Sequence, residues 1–135
     1  MTSPIARFPV ERDEASARFF DATRDGRFLL RRAGDGTYFG PGVRSDPRDP
    51  AAPLVWSEAS GRGKLVAWIV GRARPDDSGS QAVVSLGGLI ALDEGPWILA
   101  PLECDDLTEL RAGTRVAATY PMPTRGEVLP VFITT

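Results

Sequence analysis

Hydrophobic residues are spread unevenly along this chain. From Lys64 onward they come in strand-length runs separated by turn residues. GKLVAWIVGRAR sets Leu65, Ala67 and Ile69 on one face and Val66, Trp68 and Val70 on the other. Both faces are apolar, which predicts a strand enclosed by a barrel or covered on both sides. RPDDSGS, from Arg74, is a turn by composition. SQAVVSLGGLIALDEG predicts a long strand, and its Gly87–Gly88 pair predicts a bend or bulge. Asp93 to Pro96 predicts a tight turn, and PWILAPLE the next strand. DDLTELRAG predicts one or two helical turns, capped by Asp105 or Asp106 and stopped by Gly113. TRVAATYP and EVLPVFIT predict the last two strands. Strand, strand, strand, short helix, strand, strand is the order of the five-stranded OB barrel.

Upstream the pattern changes. ERDEASARFFDATRDGR predicts a helix with Asp13 as its cap and Gly26 as its stop. Phe19 and Phe20 are adjacent, so on a helix they point about 100° apart; either both pack locally, as apolar helix stripes usually do, or one packs on the domain while the other faces something else. RFLLRR, Arg27 to Arg32, predicts a short strand. Arg31 to Trp56 then loses all periodicity and is crowded with glycine and proline, around a turn at Tyr38–Phe39. Structureless loops of that length are uncommon in small domains without a function.

Composition narrows the chemistry. The chain has 135 residues, 42% of them hydrophobic, enough to build a core. Its net charge is −2, and scattered arginines give no basic surface for a phosphate backbone. There is no histidine and a single cysteine, Cys104, so a disulfide, a Cys/His zinc site and a histidine-based nucleophile are all excluded within one chain. No apolar run reaches membrane-spanning length and no signal-peptide core opens the chain; we expect a cytoplasmic protein.

The remaining candidates for chemistry read better as structure. Asp93 and Glu94 are neighbours in a turn and point apart. Cys104 lies beside Glu103, Asp105 and Asp106, which work against a thiolate. Ser60-Gly-Arg-Gly63 lacks the spacing of a phosphate loop and reads better as a strand-entry turn, although Arg62, Arg72 and Arg74 could touch an anion such as the phosphates of coenzyme A. Trp56, Trp68 and Trp97 suggest a stacking platform for single strands, but such platforms need a positive groove.

Four phrases, taken in order, resemble a known family: SGRGKLVAW from Ser60, ALDEGPWIL from Ala91, LRAGTRVAATY from Leu110 and LPVF from Leu129. With ARFFDATRDGRFLLRR at the N-terminal end, they resemble the zinc-ribbon/OB-fold proteins found beside thiolase-fold enzymes, long catalogued as a domain of unknown function. The resemblance implies a mainly β chain: an N-terminal arm and helix (1–26), a ribbon-like segment (27–58) and an OB barrel (59–135). Where that family carries two cysteine pairs, this chain reads RRAGDGTYFGPGVRSDPRDPAAP, so the ribbon is expected to be degenerate and metal-free. Tyr38, Phe39 and Trp56 are expected to form an aromatic cluster in the metal's place. The resemblance further implies a non-catalytic accessory subunit without a cofactor. Its partner would be a thiolase-like, ketoacyl-synthase-like or lipid-transfer-type enzyme, whose acyl-CoA site it helps to shape. Phe19, Phe20, Tyr38 and Phe39 are the expected interface residues, because aromatics dominate interface energetics. The alternative is a stand-alone OB module for single-stranded nucleic acid or a small ligand.

Overall fold

The computed structural model describes Arg7 and residues 9–135. Asp13 and Ser16 bond reciprocally: the Ser16 amide donates to Asp13 Oδ1 (2.8 Å) and the Asp13 amide to Ser16 Oγ (2.9 Å). This closes a turn ahead of helix α1 (Ala17–Arg24), so the helix begins later than an Asp13 cap implies, with Ser16 at its N-cap. It stops at Gly26, whose φ of 71° is the left-handed conformation a side chain disfavours. Phe19 and Phe20 are both buried, the outcome in which both rings pack locally. Their rings meet edge-on at 5.3 Å, and Phe19 meets Phe28 at 5.7 Å.

Strands β1 (Phe28–Arg32), β2 (Tyr38–Phe39) and β3 (Val55–Ala59) form an antiparallel sheet in the order β2-β1-β3. Phe28, Leu29 and Leu30 are all buried, as in a strand covered on both faces. The barrel follows: β4 (Arg62–Arg72), β5 (Val83–Leu92), β6 (Trp97–Glu103), a 3-10 turn at Leu107–Glu109, β7 (Arg115–Thr119) and β8 (Val131–Thr134). It closes in the order β4-β5-β6-β8-β7, with β6 and β8 parallel and the other pairs antiparallel. This is the mainly β, helix-led OB architecture that the element order predicts. Asp106 caps the 3-10 turn by accepting from the Thr108 amide at 2.9 Å.

Two details depart from the strand pattern. The β4–β5 ladder shifts register between Leu65 and Ala67 and again at Gly71–Arg72, not at Gly87–Gly88, which stay in register with Ile69 and Trp68; the first shift sets the parity of β4. It moves Leu65 inside while Ala67 and Ile69 point out, so residues that simple alternation puts on one face are split. Gly63, beside it, lets β4 and β5 approach closely: a Cβ there would lie 2.5 Å from the Ala91 carbonyl oxygen.

One core runs through the whole chain. Phe19, Phe20, Phe28 and Leu30 join Leu65, Ile90, Leu102, Val116 and Phe132 in a single cluster. The Phe28 and Phe132 rings meet at 5.9 Å, which fixes the three-stranded sheet on the barrel. At the other end of the sequence, the Glu127 amide donates to the Val10 carbonyl at 2.7 Å, and Arg12 bridges Glu127 and Asp21. The N-terminal arm is thereby clipped to the β7–β8 connection. Near this seam, burial above all, with Glu58 adding, pushes the Tyr120 phenol up to about 12. An unfolded tyrosine titrates near 10. The folded state therefore holds this proton more tightly, and the stability it contributes is complete below pH ~10 and lost as pH rises toward 12. Melting temperature measured across that window should fall more steeply for the native chain than for Tyr120→Phe.

Candidate functional site

The segment that lost periodicity is ordered by arginines. Two turns project from the same end of the three-stranded sheet, one between β1 and β2 and one between β2 and β3. Arg48 ties them. Its guanidinium donates to Asp35 Oδ2 (3.0 Å) and Oδ1 (3.3 Å) in the first turn, and to Asp46 Oδ1 (3.1 Å) and Oδ2 (3.0 Å) in the second. The Thr37 hydroxyl accepts a further bond at 3.2 Å. Asp46 is buried, and Arg48 holds both carboxyls well below the usual carboxylate range. The local sequence makes this possible. The Asp35 and Asp46 carboxylates also accept backbone amides two residues on, from Thr37 and Arg48, the usual Asp turn device.

A zinc ion does not fit here. Neither turn contains cysteine or histidine, and the two carboxylates that could face a cation already face a guanidinium. No group of three metal-ligating side chains occurs among the described residues.

The aromatic cluster expected in this segment is replaced by three arginine–ring pairs. Arg31 lies 3.6 Å over Trp56, Arg32 5.2 Å from Tyr38, and Arg48 5.5 Å from Phe39. Trp56 leans on Phe19 at 6.4 Å instead of on Tyr38 or Phe39. Of the four residues expected at an interface, Phe19 and Phe20 are core, while Tyr38 and Phe39 are half-buried. Truncating Phe19 or Phe20 therefore disturbs the fold as well as any contact.

The barrel brings no catalytic set together. Asp93 and Glu94 do point apart: the Asp93 carboxylate accepts from the two terminal guanidinium nitrogens of Arg115, each at 2.9 Å, and Glu94 accepts from the Ser60 amide at 2.8 Å. They fasten the turn to neighbouring segments. Burial, then Asp105 and Asp106, push the Cys104 thiol up, as the acidic neighbours imply. We expect a disulfide reagent at pH 8 to modify Cys104 more slowly in the folded chain than in denaturant, and equal rates would remove this account.

Sequence pattern missed the outer face of the barrel. Alternation along β4 implied cover on both sides, yet the outward positions are open. Ile69, Gly87 and Pro101 form one cross-strand row, and Ala67, Leu89 and Leu99 the next. These strands, with Arg7 and Leu129, line a concavity of about 710 Å³. OB folds bind oligonucleotides on this face, the second and third strands. Here it is apolar, and among the described residues the one lining cation, Arg7, is paired with Glu103 at 3.1 Å, so they build no basic groove for single strands.

Comparison with known proteins agrees with this architecture. Residues 56–120 match the family described as ChsH2, C-terminal OB-fold domain. A curated relative, the 3-oxo-4,17-pregnadiene-20-carboxyl-CoA hydratase alpha subunit of Mycobacterium tuberculosis, is 30% identical over 117 residues. That alignment covers 87% of this chain but only 37% of the relative. Among solved structures, a chain of an Ltp2-ChsH2(DUF35) aldolase superposes with a TM-score of 0.74 at 22% identity, covering 95% of this chain and 98% of that one. A DUF35-family protein of unknown function from Sulfolobus solfataricus gives 0.61 at 12% identity, covering 90% and 86%. No described helix is long and apolar enough to cross a membrane.

Proposed function

We propose that this chain is an accessory subunit of a thiolase-like enzyme acting on acyl-CoA substrates, and that it does no chemistry itself. The observation that carries this reading is the family match, joined to a relative named as a subunit of a CoA-ester hydratase. The fold neighbour named for an Ltp2–ChsH2 pair supports the same class of partner. The absence of a convergent acid, base and nucleophile among the described residues agrees with a supporting role. Its contribution is mechanical: it docks on the enzyme, and its barrel and arginine-braced sheet help shape and close the acyl-CoA site. Lipid or steroid side-chain metabolism is the setting these names suggest.

The test is affinity purification of the tagged chain from its native cells, followed by mass spectrometry. A thiolase-fold enzyme recovered in stoichiometric amount is the expected result. A chain that emerges alone, or with partners of unrelated fold, overturns the proposal.

A further inference from the structure

The barrel register sets an exposed tryptophan and a cluster of cations in one row. Lys64 on β4 stands opposite Arg115 on β7 and Ala91 on β5, and Ala91 stands opposite Trp97 on β6. All four lie on the outer side, because their strand neighbours Gly63, Leu65, Leu92 and Val116 are buried. Arg62, two residues before Lys64, shares that side of β4. Asp93 follows at the end of β5. Its amide donates to the Arg62 carbonyl at 2.9 Å, and its carboxylate reaches across β4 to Arg115. Arg72, by contrast, lies at the far end of β4, opposite Val83.

Like charges directly opposite each other on neighbouring strands repel, and Lys64 and Arg115 are such a pair. Arg115 first, with Lys64 and Arg62 adding, holds the Asp93 carboxyl below its usual range, so three cations act on one carboxylate. Among the described residues no other acid pairs with Arg62, Lys64 or Arg115. Glu94, next along, is turned to the Ser60 amide and hydroxyl at 2.8 and 3.4 Å. At the other end of the row Trp97 is 63% exposed. Arginines lie over the rings of Trp56, Tyr38 and Phe39, but among the described residues none lies over Trp97. The β6 and β4 backbones are two strand spacings apart, about 10 Å, with only the methyl of Ala91 between Trp97 and Lys64 on this side.

A simple acidic ligand matches the cations and leaves the indole in water. An apolar ligand covers the indole and leaves the cations unmatched. A compound that joins a flat ring to phosphate through a sugar uses both ends of the row. Bases stack on exposed aromatic rings, phosphate oxygens take charge-assisted bonds from lysine and arginine, and Ala91 leaves room for the sugar. We infer that the outer surface formed by Trp97, Ala91, Lys64 and Arg62 binds a nucleoside phosphate, with the base on Trp97 and the phosphates on Lys64 and Arg62. Arg115 stays with Asp93 and adds its field. The site needs no partner protein, and it is separate from the apolar concavity, which neither Trp97 nor Lys64 lines.

Calorimetric titration of the chain at fixed ionic strength tests this with ADP, adenosine and pyrophosphate as probes. ADP should bind roughly tenfold or more tightly than either fragment, because only ADP reaches both ends of the row. Trp97→Leu should weaken ADP roughly fivefold or more and leave pyrophosphate unchanged, since stacking is lost and the charges remain. Lys64→Met and Arg62→Met should weaken ADP and pyrophosphate alike, and ADP binding to the native chain should fall as salt rises. Arg18→Met, at an exposed arginine of α1, should change neither. All four variants replace exposed side chains, so their melting temperatures should stay within about 3 °C of the native chain. ADP that fails to bind at millimolar concentration, or that binds Trp97→Leu as tightly as the native chain, overturns the inference. So does a short oligoadenylate that binds far more tightly than ADP, which assigns the surface to single-stranded nucleic acid.

Discussion

Phe132→Ala is expected to destabilise the entire chain by about 3–5 kcal/mol, the cost of removing a large aromatic from a closed core. Phe132 is fully buried on β8 and its ring meets that of Phe28, which in turn meets Phe19 on α1. It therefore stands at the junction of barrel, sheet and helix. Domains of this kind are stable by only about 5–15 kcal/mol, so the loss removes a large share of the total. For a chain of this length it corresponds to a fall in melting temperature of roughly 10–18 °C. The same contacts predict that α1, the three-stranded sheet and the barrel melt in one transition, before and after the substitution. Calorimetry decides this. Two separate transitions in the native chain, with only one of them moved by Phe132→Ala, would show that the sheet and barrel are independent units.

Arg48→Met should loosen the turns of the sheet without unfolding the barrel. Among the described hydrogen bonds, Arg48 supplies every side-chain link between Asp35 or Thr37 and the second turn. Its removal leaves Asp46 buried and without its guanidinium, which is costlier than losing the bond alone. We expect amide exchange in residues 33–53 to rise by roughly tenfold or more, with barrel amides unchanged. Unaltered exchange there would show that the Gly/Pro turns hold themselves. The linkage has a sign. Asp35 and Asp46 both have carboxyls depressed by Arg48, below the value of about 3.9 they take when unfolded. Their contribution is complete above that value and is lost as pH falls through the lower folded values. Acid should therefore open these turns in the native chain and have less effect on Arg48→Met, and a chelator should have none on either.

Much of the architecture was legible because it is local. Turn chemistry at Arg74–Ser80 and Asp93–Pro96, the glycine stop at Gly26 and the strand-length apolar runs are each decided by residues close in sequence. Their order alone identified the barrel, since few topologies place a short helix between the third and fourth of five strands. The lack of histidine and of all but one cysteine excluded a Cys/His zinc site by the same direct reading. What braces the Gly/Pro-rich segment was not legible. Arg48 had to be matched with Asp35, 13 residues away across a two-residue strand, and nothing in a Gly/Pro-rich stretch gives the distance between two turns. The aromatic residues were visible, but their partners turned out to be arginines and not one another.

The sequence by itself determined the class of fold and the absence of histidine and disulfide chemistry, and it carried the family resemblance. Only the tertiary structure decided which apolar residues are core and which are surface. Phe19 and Phe20 look available on a helix and are buried, because helix, sheet and barrel converge on them. Ile69 and Leu99 look like core on strands apolar on both faces and are exposed, because a bulge at Leu65–Ala67 sets the parity of β4 and no element among the described residues covers the outer sheet. Burial is a property of what packs against a residue, and that is a long-range fact which local pattern does not contain.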